Sequence, residues 1–172
     1  MSDSLGDSGA SVIFSTAIDD QLEQERARKV SLEQRAITVI TSSGVLVSLL
    51  FGFTAVVDGD EPTELGKILL GAALLFFVAA TILSLLTNRP RDYVPLSVKK
   101  DLAPMVEDDE IWQLSADDAR RSLAEFRVRE IDRWRNNNHA KATLLQLALA
   151  AEVLAIALLA ASVAAMLDVA GR

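Results

Sequence analysis

Three runs of apolar residues, 36–57, 67–87 and 142–167, stand out from an otherwise charged chain. Each meets or exceeds the ~20 residues that a helix needs to cross a hydrocarbon core. The pattern inside them is neither the two-residue alternation of a half-buried strand nor the broken stripe of a soluble helix. Three membrane-spanning helices are the expectation. The last run, ATLLQLALAAEVLAIALLAASVAAML, is the longest, and it carries a carboxylate, Glu152, about ten residues in.

The polar stretches before the first and third runs also read as helix. No Gly or Pro occurs from Ala10 through Ser43, and helix formers dominate QLEQERARKVSLEQR. Thr16-Ala-Ile-Asp19 has the spacing of a capping box, so a helix is expected from Thr16 into the first span. Its apolar positions, Ile18, Leu22, Val30 and Leu32, are sparse and give only a weak stripe. Ser115-Ala-Asp-Asp118 repeats the capping pattern, and no Gly or Pro follows until Gly171. Ala119, Leu123, Phe126, Ile131 and Trp134 share one arc of that helix. Asn136-Asn137-Asn138 is its weak point, because Asn competes for the backbone hydrogen bonds, and a bend or fraying is expected there if anywhere.

The fold class that follows is all-α: three transmembrane helices with long cytoplasmic helical extensions of the first and third spans. The segments are a disordered tail at 1–15, rich in Ser, Gly and Asp, and a cytoplasmic helix at 16–35. Transmembrane helices occupy 36–57, 67–87 and 142–167, with an external turn at 58–66. A cytoplasmic segment fills 88–141, helical from 115 after the breakers Pro90, Pro95 and Pro104.

Charge sets the topology. Four of the 17 basic residues precede the first run and eleven lie between the second and third. Lys67 and Arg172 are the other two. The positive-inside rule then puts the N-terminus in the cytoplasm and the C-terminus outside the plasma membrane. Arg89, Arg91, Tyr93 and Trp134 are candidate anchors at the headgroup level. A cleaved signal peptide is not expected, because a long charged arm precedes the first apolar run.

Composition narrows the chemistry. There is no Cys, which excludes disulfides, thiolate nucleophiles and Cys-based metal sites. One His, His139, cannot build a multi-His metal site within one chain. The net charge of -7 gives no basic face for nucleic acid. The acidic turn DGDEPTELG lacks the ligand spacing of an EF-hand, and the carboxylates at 107–110 read as a solvated run. No nucleotide loop, catalytic triad or paired catalytic carboxylates are visible, so neither an enzyme nor a cofactor is expected.

The candidate functional residues lie in the membrane. A carboxylate there marks a functional site by default. Glu152 can bond to Ser42, Ser43 or Ser48 of the first span. Gln146 lies one to two turns away and points about a third of a turn aside. Two roles stay open for this group: an interhelical polar clamp, or a part in ion or proton passage. Thr41, Gly44, Ser48 and Gly52 share a face of the first span, and Ala157, Ala161 and Ala165 share one of the third. Small residues allow close helix approach, so both faces are expected at helix contacts, within a chain or between copies.

The segments SLEQRAITVITSSGVLVSLLFG, NRPRDY and NNNHAKATLLQLALAAEVLAIALL make the chain similar to small three-span membrane proteins of actinobacteria. That resemblance covers most of the chain and implies its fold but no activity. In architecture it is more loosely similar to bacterial antiphage membrane effectors, in which a few spans join a cytoplasmic sensing part. No cyclic-nucleotide pocket signature accompanies that similarity. The leading reading is a non-enzymatic scaffold that self-associates and engages a cytoplasmic protein partner through its helical collar. The competing reading is an oligomeric pore or channel-like effector in antiphage defence.

Overall fold

In the computed structural model, residues 4–56, 63–90, 107–109 and 113–170 are described, with side-chain surroundings for 11–51, 63–90, 107–109 and 113–166. The turn at 58–62, Arg91, Tyr93, Pro95, Pro104, Glu110 and the side-chain environment of Gly52 lie outside those residues.

The described residues form three long helices: α1, Ser4–Val56; α2, Glu64–Asn88; and α3, Ala116–Ala170. Each contains a stretch long and apolar enough to cross a membrane. No strand occurs among the described residues. The all-α, three-span class predicted from the hydropathy pattern is the observed one.

Two boundaries differ from expectation. The segment 1–15 was expected to be a disordered tail, yet α1 already runs from Ser4. Thr16 caps nothing: its Oγ1 donates to the Val12 carbonyl at 2.9 Å, and Ser15 Oγ does the same. A hydroxyl that returns its proton to the preceding turn sits inside a helix rather than at its start. Asp19, the other half of the expected box, pairs with Arg127 instead. The second difference is at Asn136–Asn138, where the helix assignment continues without fraying. At the start of α3 the sequence pattern holds: the Asp118 amide donates to Ser115 Oγ (3.2 Å), whose hydroxyl donates to Asp118 Oδ2 (2.7 Å).

Contacts divide the chain into two units. A charged unit comprises Met1–Val30 and Pro90–His139, and an apolar unit comprises Ser31–Arg89 and Ala140–Arg172.

In the apolar unit Leu32, Ala36, Val39, Ala80, Leu145 and Ala148 form one buried cluster. Alanines at three of these positions let the backbones close up, which suits helices whose association depends on packing rather than on expulsion of water. Lys141 pairs with Glu33 and Glu152 with Ser42, so α1 and α3 run in the same direction. The α2 helix runs against them, with Gly66 near Met166 and Ala80 near Leu145. Thr63 caps α2 by accepting from the Gly66 amide at 3.1 Å, and Ser162 Oγ donates to the Gly66 carbonyl at 2.9 Å.

Gly66 is therefore a point of forced proximity. A Cβ there would lie 2.9 Å from the Thr63 hydroxyl and 3.1 Å from Met166 Cγ and Cε, whereas one at Gly71 would meet nothing within 4 Å. Gly66→Ala is expected to lower stability in detergent by about 1 kcal/mol through the disturbed cap. Gly71→Ala should be neutral or stabilising by up to about 1 kcal/mol. Thermal unfolding of the two variants side by side checks this, and equal losses would refute the close contact.

Candidate functional site: a polar seam between the first and third helices

The α1–α3 seam in the apolar unit carries two polar contacts. The deeper one is Glu152, 8% exposed, whose Oε1 accepts from Ser42 Oγ and, at 3.3 Å, from Ser43 Oγ. Ser43 is fully enclosed. Ser42 has one proton and three acceptors within reach: Glu152 and its own helix's Thr38 and Val39 carbonyls at 3.0 and 3.1 Å. In hydrocarbon every polar group must find a protein partner. Here the carboxylate finds it across the seam, which physically bridges α1 to α3.

The other candidates do not join this cluster. Ser48 is exposed and donates to the Gly44 carbonyl at 2.9 Å. Gln146 is exposed, in keeping with its offset from Glu152 around the helix. Thr41 is exposed and bonds to the Ile37 carbonyl at 3.0 Å.

The second contact was missed as a site. Lys141 is 0% exposed, and its Nζ pairs with Glu33. The sequence does not single it out, because no rule fixes which helix face meets a neighbour. The regular spacing of Glu33 before span one and Lys141 before span three was the available signal. Ser84 Oγ of α2 is buried with no hydrogen-bond partner.

The small-residue faces are placed in a telling way. α1 meets the rest of its unit through Leu32, Ala36, Val39, Ser43 and Leu50. Thr41, Gly44 and Ser48 lie on the opposite side and are exposed, and a Cβ at Gly44 would meet nothing within 4 Å. Ala157 and Ala161 are likewise exposed, and Ala165 is half-buried. The packing they were expected to provide inside the chain comes from Ala36, Ala80, Ala148 and Ala155 instead. Large apolar side chains are exposed on all three helices, among them Leu49 and Phe51 of α1, Leu65, Ile68 and Leu75 of α2 and Val153 of α3, each at least 60% exposed.

In the charged unit the seam is again polar. Among the described residues, Glu25, Glu130 and Asn138 are buried there beside two buried apolar residues, Leu22 and Ile131. Val30, expected on the apolar stripe, is 61% exposed. Trp134 is half-buried, donates to Glu130 Oε1 at 3.2 Å, and has Arg26 and Lys29 over its ring at 5.8 and 5.7 Å. This candidate anchor is thus engaged with α1, whereas Arg89 is exposed just past α2. An open apolar groove of about 420 Å³ is lined by Phe14, Ile18, Val128 and Ile131 among others. No group of three or more His, Cys, Asp or Glu placed to hold a metal occurs among the described residues.

The sequence matches the family described as the Pycsar effector protein domain (PycTM) over residues 18–168. That match takes in all three spans and both polar seams. The chain belongs to the Pycsar effector family. No curated protein and no solved structure matches it. The Pycsar effector domain is a transmembrane one, in agreement with the three apolar helices.

Two expectations follow for this Pycsar effector. Glu152→Gln keeps a carbonyl acceptor for Ser42 and Ser43 and should retain stability and assembly. Glu152→Leu should lose about 1 kcal/mol, the scale of one or two interhelical hydrogen bonds in membranes. At the other contact, Glu33→Ala removes a carboxylate from an enclosed ammonium, whereas Lys141→Met removes the charge and keeps the bulk. Glu33→Ala should cost about 2 kcal/mol more than Lys141→Met. Denaturation in mild detergent measures both comparisons.

Proposed function

We propose that this chain is a non-enzymatic membrane effector of antiphage defence that works by assembling with copies of itself in the bilayer. The observation that carries the reading is the outward placement of the small and polar faces of α1 and α3. Partners on the two helices differ in number by 108 to 110, through Lys141–Glu33 and Glu152 with Ser43 and Ser42. Ser48 is therefore level with Ala157, and Thr41 with Ala150. Both faces lie at the same depth on helices that run the same way.

Every copy inserts with the same orientation, with the N-terminus in the cytoplasm on the charge rule. Copies are then related by rotation about the membrane normal, which brings the α1 face of one against the α3 face of the next. Such head-to-tail contacts close into rings when the rotation permits. α2 stays against lipid. Thr41, Ser48 and Gln146 gain polar surroundings at the contact, and a ring of this kind can enclose a path for ions.

A scaffold reading has one observation of its own, the apolar groove at Phe14 and Val128, which suits a cytoplasmic protein partner.

Native mass spectrometry in mild detergent, paired with ion flux from liposomes, separates the two. A ring larger than a dimer, with flux, is expected for the unaltered protein. Gly44→Leu and Ala157→Leu should each shift it to monomers and abolish flux. An unaltered protein that stays monomeric or dimeric and passes no ions removes the pore and leaves the scaffold.

A further inference from the structure

In the charged unit, the ionic groups at the α1–α3 seam are matched. Asp19 pairs with Arg127. Glu25 pairs with Arg135 at 3.2 Å, and Arg26 approaches Glu130 at 3.6 Å.

A different set of charges faces away from the seam. On α1 the buried Leu22 and Glu25 mark the seam side, and helical spacing turns Asp20 and Glu23 outward, where both are exposed. On α3 the buried Ile131 and Asn138 mark that side, and Arg129 and Arg133 are turned outward and exposed. None of these four side chains has an ionic or hydrogen-bonding partner among the described residues. Two other acids on the outer part of α3 are engaged within their own helix. Glu125 pairs with Arg121 at 3.6 Å, and Asp132 accepts from Asn136 at 3.4 Å.

The two outward sets carry opposite charge, and each repels itself. Asp20 and Glu23 are three positions apart, and Arg129 and Arg133 are four apart. Residues at these spacings are neighbours on a helix surface, where like charges are unfavourable. The sets also lie at matching heights. Partners across the seam differ in number by 108 for Asp19–Arg127 and by 110 for Glu25–Arg135. Asp20 is therefore level with Arg129, and Glu23 with Arg133, on opposite flanks of the unit.

Within one chain these sets cannot meet, because the two helices stand between them. Between two chains they can. Copies that insert in one orientation and differ by rotation about the membrane normal keep every height. The α1 flank of one copy then meets the α3 flank of the next, acid against base.

We infer that Asp20 and Glu23 of one copy dock on Arg129 and Arg133 of a neighbouring copy, which makes the outer flanks of the charged unit a head-to-tail interface for a second copy of this chain. The contact rests on the reading that copies assemble, and it adds direction to that assembly. An approach of α1 flank to α1 flank sets acid on acid, and one of α3 flank to α3 flank sets base on base. Complementary charge of this kind governs partner choice and orientation more than strength.

Charge reversal tests the contact, with native mass spectrometry of the full chain in mild detergent at low ionic strength, where exposed charges are least screened. Asp20→Arg with Glu23→Arg makes both flanks basic. Arg129→Glu with Arg133→Glu makes both acidic. Each double variant alone should need about tenfold more protein to assemble than the unaltered chain, or more still, as expected where like charges are forced together. An equal mixture of the two should recover assembly in alternating order, because each offers the flank that the other lacks. Recovery on mixing also shows that neither variant is misfolded. Double variants that assemble as readily as the unaltered chain would refute the charged contact and leave assembly through the spans standing. A mixture that stays as weak as its components refutes it too. An unaltered chain that remains monomeric removes both the contact and the assembly on which it rests.

Discussion

Two parallel helices that bury polar atoms at several levels can satisfy all of them in only one alignment. This constraint governs this member of the Pycsar effector family. Asp19, Glu25, Glu33 and the Ser42–Ser43 pair lie along α1, and their partners on α3 follow at a nearly constant distance in sequence. The apolar cluster combines Ala36, Ala80 and Ala148, which permit close approach, with Leu32, Val39 and Leu145. Packing brings the helices together, and hydrogen bonds decide how they lie.

The polar contacts along the seam do not all point one way, since Lys141 of α3 meets Glu33 of α1 while Arg26 of α1 meets Glu130 of α3. Elsewhere in the charged unit α1 supplies carboxylates and α3 supplies Arg127, Arg135 and Asn138. In the span the order is reversed: α1 supplies hydroxyl donors and α3 the carboxylate Glu152. An arginine is costly at mid-bilayer, whereas a hydroxyl falls back on its own helix when unpaired. At the depth of Glu152 the donors are hydroxyls, nearer the charged unit the enclosed Lys141 serves, and α2 contributes through Gly66 and Ala80 rather than through charge.

Much of this was legible in the sequence, and the reasons differ from residue to residue. The three spans were readable because a bilayer imposes a length that nothing else imposes. Glu152 drew attention through its cost alone, and two of its three candidate hydroxyls, Ser42 and Ser43, are the ones it meets. The start of α1 was misread because Ser, Gly and Asp near a terminus signal disorder on composition, while Ser15 and Thr16 settle by bonding to Val12. The small faces were found, but not the side on which they lie, because periodicity groups residues on a face without saying what that face meets. Asn138 was read as a helix-weakening residue, since its value rests on Glu25, more than a hundred positions earlier.

That separation has a consequence for how the chain is made. The α1 side of these contacts leaves the ribosome about 110 residues ahead of its α3 partners, an interval of roughly 5 to 20 s at ordinary translation speeds. Through that interval Asp19, Glu25 and Glu33 can remain hydrated, and Ser42 can hold its proton against the Thr38 or Val39 carbonyl of its own helix. When α3 arrives, the same hydroxyl need only rotate toward Glu152. The nascent first span thus has a provisional way to satisfy itself in lipid, and no part of the ribosome-bound intermediate must wait with a bare polar atom at Ser42.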